Sequence, residues 1–249
     1  MQAKQRLTFE STEGEQLYSY IERNGVVDRA ELESEFSLDP ERVDEALASL
    51  VDAGHIEKRG ETYRIEIDYD ARMTFETDGI EVTIRTPEQS DLGELVGVMR
   101  AVAEEDAYLT AETVVDLLDH EEVIFRHNDV ESRMFLVATV DDELVGWVHL
   151  HSPNVAKLSH TAELTMGILK EYRGHGIGSR LMEHGLDWAE SNGYEKVYQS
   201  LPAVNQDAVQ FLERHNWGTE AIRKAHFKID DEYVAEQQMA VMLQDPVVG

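Results

Sequence analysis

Three closely spaced glycines stand where the pattern of the sequence changes from a strand to a helix. Gly174, Gly176 and Gly178 follow the predicted strand Ala162–Leu169 and precede apolar residues at helical spacing. Glycine lets backbone N–H groups approach a ligand without interference from Cβ, and a helix N-terminus carries partial positive charge. The turn is therefore predicted to hold a phosphate or pyrophosphate through main-chain donors; its alternative is a tight connection without a ligand.

Two common phosphate-binding fingerprints fit this turn poorly. A dinucleotide-binding turn would place glycine where Ser179 stands and an acidic residue at the end of the next strand, whereas Glu195 begins that strand. A P-loop would require the run Gly-Lys-Ser/Thr, which the turn does not have. Neither class of nucleotide-binding protein is predicted.

The glycine turn does match a third sequence motif. The run Arg173–Gly178 matches the Gln/Arg-x-x-Gly-x-Gly/Ala motif of the GNAT superfamily of N-acetyltransferases. Further along the chain, Asn205, Ala208 and Trp217 resemble the family's later Asn-x-x-Ala helix and the aromatic residue that follows it. Both motifs occur in the family's order, and the resemblance covers roughly Ile80–Leu243.

The resemblance implies an α/β (α+β) domain, the GNAT fold with a mixed central sheet, and acetyl-CoA as co-substrate. It also implies that the turn contacts the pyrophosphate and that the main chain of the preceding strand pairs with the pantetheine arm. The cofactor-binding residues implied in this way are Met166, Gly167, Ile168, Arg173, Gly174, His175, Gly176, Ile177, Gly178, Ser179 and Asn205. Core packing of the strand is compatible with this role, because the pairing uses backbone atoms.

Acetyl transfer to an amine needs a group that removes a proton from nitrogen and a group that protonates the departing thiolate. The family often supplies the second group as a Tyr on the Asn-containing helix, and Leu212 stands at that position. Tyr198, on the fifth strand, is the predicted substitute, with packing as its alternative role. Glu163, on the strand that carries Ile168, is the predicted general base, acting directly or through water.

Family members recognise the acceptor largely through their first two helices and their final hairpin. The first region combines acidic residues with an aromatic one, which suits a cationic amine: Glu104, Glu105, Asp106 and Tyr108. The segment Arg223–Met242 resembles the closing hairpin of members that acetylate amino acids or protein N-termini. A small molecule, an amino acid and a protein N-terminus all stay open as acceptors.

The first part of the chain resembles a small winged helix-turn-helix domain. Apolar residues at helical spacing predict three helices, the third beginning at Pro40, and alternating apolar residues around a Gly60 turn predict the wing. We expect this domain over residues 1–70, a polar linker over 71–79 and the acetyltransferase domain over 80–249.

The charge of the predicted third helix does not favour DNA as a partner. Pro40–Asp52 contains four acidic residues and one basic residue, Arg42, although phosphate contacts from basic residues supply most of the affinity for DNA. Lys58, Arg59 and Arg64 on the wing keep DNA contact open. Protein contact, including a homodimer, is the alternative.

The composition points to a salt-rich cytoplasm. Twenty-two Lys and Arg stand against 51 Asp and Glu, a formal net charge of −29. At about 1 M salt the Debye length is about 3 Å, so the repulsion between the acidic residues is screened, and we expect a halophilic protein.

The sequence has no long apolar segment and no cysteine, so no membrane span, disulfide or thiolate metal site is predicted. A cytoplasmic location is expected. His149, His151 and His160 follow no metal-ligand spacing, so no metal is predicted.

These observations leave three hypotheses about function. The first is an N-acetyltransferase that transfers acetyl from acetyl-CoA to a primary amine through a ternary complex. The second is a transcriptional regulator in which the winged domain binds DNA and the GNAT domain senses acetyl-CoA. The third is a GNAT fold retained only for protein contact, suggested by Leu212 at the family's Tyr position.

Overall fold

The structure is a computed structural model and describes residues 7–36, 38–67, 72–106, 109–128, 130–153 and 155–244. The helices are α1 Thr12–Asn24, α2 Arg29–Phe36, α3 Pro40–Asp52, α4 Leu92–Asp106, α5 Leu109–Glu121, α6 Ile177–Ser191 and α7 Gln206–Arg214. The strands are β1 Val26–Asp28, β2 Ile56–Arg59, β3 Thr62–Ile65, β4 Met73–Thr77, β5 Ile80–Arg85, β6 Arg126–His127, β7 Glu131–Val140, β8 Glu143–Pro153, β9 Thr161–Ile168, β10 Lys196–Pro202, β11 Gly218–Ile229 and β12 Glu232–Met242. Among these residues, no helix is long and apolar enough to cross a membrane.

The N-terminal part contains the helices and the hairpin that the sequence predicts. Ser11 caps α1, because its Oγ accepts a hydrogen bond from the Gly14 N–H at 3.0 Å. Asp39 caps α3 in the same way, and Pro40 occupies the first helical position. The strands β1, β3 and β2 form a small antiparallel sheet beside these helices. Assignment to the winged-helix class stays a prediction.

The prediction of a linker over residues 71–79 is wrong for most of that segment. Met73–Thr77 form β4, which pairs with β5 across a turn at Asp78 and Gly79, both with positive φ. Every second residue of β4 is exposed, and this edge strand therefore looks polar in the sequence. The Asp78-Gly79 pair makes a hairpin turn inside the sheet and not the end of a linker.

In the described part of the chain, nine strands form the central sheet, in the order β11-β12-β10-β9-β8-β7-β5-β4 with β6 beside β7. The sheet is mixed, as predicted, because β9 and β10 run parallel within otherwise antiparallel neighbours. The register of β9 and β10 extends from Thr161 opposite Lys196 to Glu163 opposite Tyr198. Beyond these residues the two strands pair no further, and a gap opens between them.

The two faces of this sheet pack against different helices. On the face we call the α6 face, Leu136, Val148 and Leu164 pack with α6 and α7 in one apolar cluster. On the opposite face, the α4 face, Phe135 and Trp147 belong to a cluster that includes α4, α5 and the N-terminal helices. The N-terminal part therefore shares a hydrophobic core with the α4 face.

A buried ion cluster, made of the charged side chains of Glu22, Glu121, Arg126 and Arg133, connects α1 to this face. Arg126 and Glu22 are only 8% and 6% exposed, and the Arg126 Nη1 donates to the Glu22 carbonyl at 2.8 Å. The Arg126 Nε donates to Glu121 at 2.9 Å, and Arg133 donates to the same Glu121 oxygen at 2.6 Å. The Tyr18 hydroxyl adds a 2.6 Å hydrogen bond to the carbonyl of His127. Charges buried in this way stay charged only because each has a partner.

Candidate active site

The glycine turn leads into α6 with an open space in front of it. Gly174 and Gly176 have φ of +82° and +79°, the left-handed region that favours glycine. A Cβ built on either residue would meet no heavy atom within 4 Å, so a ligand can approach the backbone here. Gly176 immediately precedes α6, and the N–H groups in the first turn of a helix have no intrahelical partners. This geometry suits an anion, and the binding of a phosphate at this cradle stays a prediction.

The β4–β5 hairpin holds this turn in place. The Thr77 hydroxyl donates to the His175 carbonyl at 2.8 Å, and the His175 Nδ1 lies 2.7 Å from the Asp78 carboxylate. The segment predicted to be a linker is thus part of the structure that supports the cradle.

A cavity of about 580 Å³ joins the cradle to the gap between β9 and β10. Of the predicted cofactor residues, it brings together Met166, Gly167, Ile168, Arg173, Gly174, Gly176, Gly178, Ser179 and Asn205. His175 and Ile177 lie outside its lining; Ile177 is buried in the apolar cluster of the α6 face. The lining also includes Val102 of α4, so the cavity reaches through the gap to the α4 face.

Two predicted residues have structural tasks beside any contact with a ligand. Asn205 caps α7, because its Oδ1 accepts a hydrogen bond from the Ala208 N–H at 3.1 Å. Gly167 lies against the indole ring of Trp147, and a side chain at residue 167 would collide with that ring. Close packing therefore explains the glycine at 167.

The cavity is locally basic in a very acidic chain. Its charged lining residues are Arg173, Arg214 and Asp207, together with His215 as a titratable group, while the whole chain has a formal charge of −29. The excess of arginine over aspartate complements an anionic ligand.

On the α4 face, one row of side chains crosses four strands. Arg133 of β7 lies opposite His151 of β8, His151 opposite Glu163 of β9, and Glu163 opposite Tyr198 of β10. Side chains directly opposite each other project from the same face of a sheet, with their Cβ atoms about 5 Å apart. The two predicted catalytic residues are therefore neighbours, and they lie where β9 and β10 begin to separate, just outside the lining of the cavity.

Residues 100–217 match the sequence model of the family described as "Acetyltransferase (GNAT) family". The chain carries a GNAT acetyltransferase domain. The general reaction of such domains is acetyl-CoA-dependent N-acetylation. No curated protein matches the sequence.

Solved structures share the fold of this acetyltransferase domain. A GNAT-family acetyltransferase from Streptococcus pneumoniae has 23% identity and a TM-score of 0.54, covering 65% of this chain and 99% of that chain. The putative acetyltransferase yncA from Salmonella typhimurium, solved with acetyl-CoA, has 13% identity and a TM-score of 0.56, covering 68% and 97%. The ribosomal-protein-S18-alanine N-acetyltransferase from Escherichia coli has 16% identity and a TM-score of 0.51, covering 66% and 96%.

Acetyl-CoA is the co-substrate of the acetyltransferase domain, and the residues present suit it. The open glycine turn offers main-chain donors for a pyrophosphate, and the arginines of the cavity complement its charge. The β9 residues beyond Glu163 have no β10 partner, and their backbone therefore lines a gap that an extended arm can enter.

The protonation of the paired Glu163 and Tyr198 is shifted by their surroundings. Burial raises the pKa of Glu163; Glu236 raises it further, and His151 opposes these effects. Burial also raises the pKa of Tyr198, and the charge of Glu163 adds to this rise. Glu163 is thus a stronger base than an exposed carboxylate, and Tyr198 keeps its proton at neutral pH.

A second carboxylate, Glu236, lies close by with its own partners. Its side chain is 3% exposed, it accepts hydrogen bonds from Ser200 and Arg223, and the His226 Nε2 is 3.8 Å away. Burial alone would raise the pKa of Glu236, but these hydrogen bonds hold it below its ordinary value. Glu236 therefore stays ionised, and the positive charge of Arg223 balances its negative charge.

Other predicted features have mixed outcomes. Leu212 is 2% exposed within the apolar cluster of the α6 face and has no group that titrates. Glu104 is exposed near the end of α4, while Tyr108 and the side chains of Glu105 and Asp106 lie outside the described residues.

His149 is buried against Phe135, and burial holds its pKa well below the ordinary value. Among the described residues, no group of His, Asp and Glu could hold a metal ion.

The basic residues that kept DNA contact open already have partners. Arg59 and Arg64 both contact the Glu57 carboxylate, and the Lys58 ammonium lies 5.4 Å from the ring centre of Tyr63. Binding a phosphate with these residues would require breaking these contacts.

Sequence reasoning missed six polar residues of the cavity lining: Tyr172, Gln199, Asp207, Gln210, Arg214 and His215. A usable signal was present for His215. It follows Ala208 by seven residues and Phe211 by four, a spacing that puts all three on one face of the predicted helix.

Proposed function

We propose that this protein is an N-acetyltransferase that moves acetyl from acetyl-CoA to a primary amine of a small molecule, an amino acid or a protein N-terminus. Both substrates bind before any chemistry, and the enzyme itself is not acetylated. The observation that carries the proposal is the position of the Glu163–Tyr198 pair, at the point where β9 and β10 separate and the cavity opens.

In the proposed reaction, Glu163 removes a proton from the acceptor ammonium, directly or through water, and leaves a nucleophilic amine. The nitrogen attacks the thioester carbon, the N–C bond forms and the C–S bond breaks. The departing thiolate then takes a proton, for which the Tyr198 hydroxyl is the proposed source. The raised pKa of Glu163 supports its role, because a general base works best when its pKa approaches the working pH. The raised pKa of Tyr198 means that its hydroxyl still carries a proton to give at neutral pH.

The acceptor class is supported by charge rather than by shape. Glu163 and the exposed Glu104 are carboxylates on the α4 side, and both attract a cationic amine. Proteins of similar fold include the S18-alanine N-acetyltransferase already described and a spermidine N-acetyltransferase chimera with 21% identity. Peptides with a free N-terminus and polyamines are therefore the first acceptors to try.

The test is a screen in about 2 M KCl, where the Debye length is below about 3 Å and self-repulsion of the chain is screened. Acetyl-CoA is mixed with amino acids, polyamines or peptides with a free N-terminus, and release of free CoA thiol is followed. We expect release that depends on one acceptor class and is lost in Glu163→Gln. Binding of acetyl-CoA without transfer to any amine would contradict the proposal and favour a cofactor sensor.

A further inference from the structure

The end of α7 is joined to the start of α6 through one histidine. The His215 Nε2 lies 3.0 Å from the Ser179 Oγ, and its Nδ1 lies 2.7 Å from the Phe211 carbonyl oxygen. The rings of Phe211 and His215 are in contact, with their centres 4.5 Å apart. Both Ser179 and His215 are half-buried and line the cavity beside the glycine turn. The imidazole is therefore held on three sides.

These contacts determine where the protons are. The Phe211 carbonyl can only accept, and the His215 Nδ1 must therefore bear a hydrogen. In a neutral imidazole the other nitrogen is an acceptor, so the Ser179 hydroxyl donates its proton to Nε2. In this state the Ser179 proton is committed to the histidine and is not available to an anion.

Protonation of His215 reverses the second hydrogen bond. Both ring nitrogens of an imidazolium are donors, so Nε2–H would donate to the Ser179 Oγ. The Ser179 hydroxyl proton is then free to point elsewhere. Since Ser179 is the third residue of α6, its hydroxyl lies in the turn of the helix whose free N–H groups form the cradle. A phosphate there could accept from it.

A bound phosphate would add to the charged groups around His215. The groups that line the same cavity are Tyr172, Arg173, Asp207 and Arg214. On neighbouring parts of the chain, His175 pairs with Asp78, Arg180 pairs with Glu183, and Glu213 is exposed on α7. The phosphates of acetyl-CoA would bring negative charge into the cavity that His215 lines, and nearby negative charge favours a protonated imidazole.

We propose that binding of acetyl-CoA takes up one proton from solvent onto His215, which releases the Ser179 hydroxyl from the histidine and lets it donate to a phosphate of the cofactor. The inference rests on the proposed function only for the binding of acetyl-CoA and needs no acceptor. His215 is a positioning residue in this account, since it acts through Ser179.

The experiment is calorimetric titration of acetyl-CoA at pH 7 in buffers of different ionisation enthalpy, at constant KCl concentration. The dependence of the binding enthalpy on the buffer gives the number of protons taken up. We expect the protein to take up as much as about one proton more than His215→Gln. We also expect its affinity to weaken with rising pH, by at most about tenfold per pH unit for one linked proton.

The matched control is His184→Gln, on the same helix as Ser179. The His184 ring contacts the Met73 sulfur at 3.3 Å and lies outside the lining of the cavity, so this variant keeps the proton uptake of the parent. Ionisation of the cofactor's own phosphates is common to all variants and cancels in the difference.

Equal proton uptake by the parent and by folded His215→Gln would overturn the inference. A second variant, Ser179→Ala, removes only a hydroxyl, and we expect it to bind acetyl-CoA at least about tenfold more weakly, the loss of one hydrogen bond to a charged group. Unchanged affinity in Ser179→Ala would also overturn it. Failure of the folded parent to bind acetyl-CoA would instead contradict the proposed function, and the two failures are thereby distinguished.

Discussion

The α6 face and the α4 face of the central sheet serve a ligand in different ways. On the α6 side, the cavity offers backbone at a glycine turn and a helix N-terminus, over a sheet face that is apolar. On the α4 side, the row Arg133, His151, Glu163 and Tyr198 offers ionisable side chains on neighbouring strands. Backbone binding depends on the conformation of one short segment, whereas the row depends on the register of four strands.

This difference predicts different responses to mutation. A substitution on the α6 side should change the affinity for acetyl-CoA, while a substitution in the row should change the rate of transfer or its dependence on pH. The N-terminal part packs on the α4 side through the buried ion cluster, so its contribution should appear first as stability.

The largest expected effect is that of Glu163→Gln on acetyl transfer. Loss of a general base lowers the rate by about 10²–10⁴-fold, and we expect about a thousandfold fall in kcat/KM with the acceptor found in the screen. Affinity for acetyl-CoA should not change, because Glu163 lies outside the lining of the cavity. The control is Glu190→Gln, an exposed carboxylate on α6, which should transfer acetyl like the parent.

The pH profile sharpens this prediction. A base must be ionised to act, so activity should be lost as the pH falls through the pKa of Glu163. Because burial raises that pKa, the acidic limb should lie above the ordinary carboxyl pKa of about 4.3. An acidic limb at or below the ordinary value would contradict the role of Glu163.

The next effect concerns the ion cluster between α1 and the α4 face. Arg126→Met leaves Glu22 and Glu121 without this partner, and removing one member of a buried pair costs about 3–5 kcal/mol of unfolding free energy. Arg42→Met is the control, since Arg42 is exposed and the loss of its ion pair with the partly buried Glu13 should cost less than about 1 kcal/mol. Denaturant unfolding in molar KCl measures both; equal costs would mean that the cluster does not hold the N-terminal part in place.

On the α6 side, Gly176→Glu should weaken binding of acetyl-CoA by at least about a hundredfold, because a carboxylate would stand in the cradle against the phosphates. Gly60→Glu is a close control: Gly60 has φ of +63°, with no heavy atom within 4 Å of an added Cβ, but it lies on the hairpin between β2 and β3. Both variants carry similar backbone strain, so a difference in affinity between them reports the cradle alone. Calorimetry is the measurement, and similar affinity for both would contradict the assignment of the cradle.

The sequence predicted the α6 side better than the α4 side for a physical reason. The turn from Arg173 to Gly178 is one continuous segment, whose glycines and following helix are enough to indicate an anion cradle. The position of His151 opposite Glu163, in contrast, exists only because β8 and β9 pair in one register, and no local pattern encodes that register. Strand β4 was missed because an exposed edge strand looks polar.

The smallest effect, and the one that separates catalysis from packing on the α4 side, is that of Tyr198→Phe. If the hydroxyl protonates the departing thiolate, its loss should lower kcat by about tenfold, a small effect for general acid catalysis because a thiolate leaves readily even without a proton. KM for acetyl-CoA should be unchanged, because Tyr198 does not line the cavity. Burial and Glu163 both raise the pKa of Tyr198, so any alkaline limb that it causes should lie above the ordinary tyrosine pKa of about 10. If kcat stays the same while the unfolding free energy falls, Tyr198 only packs against its neighbours, and Glu163 is the one residue of this pair that takes part in the chemistry.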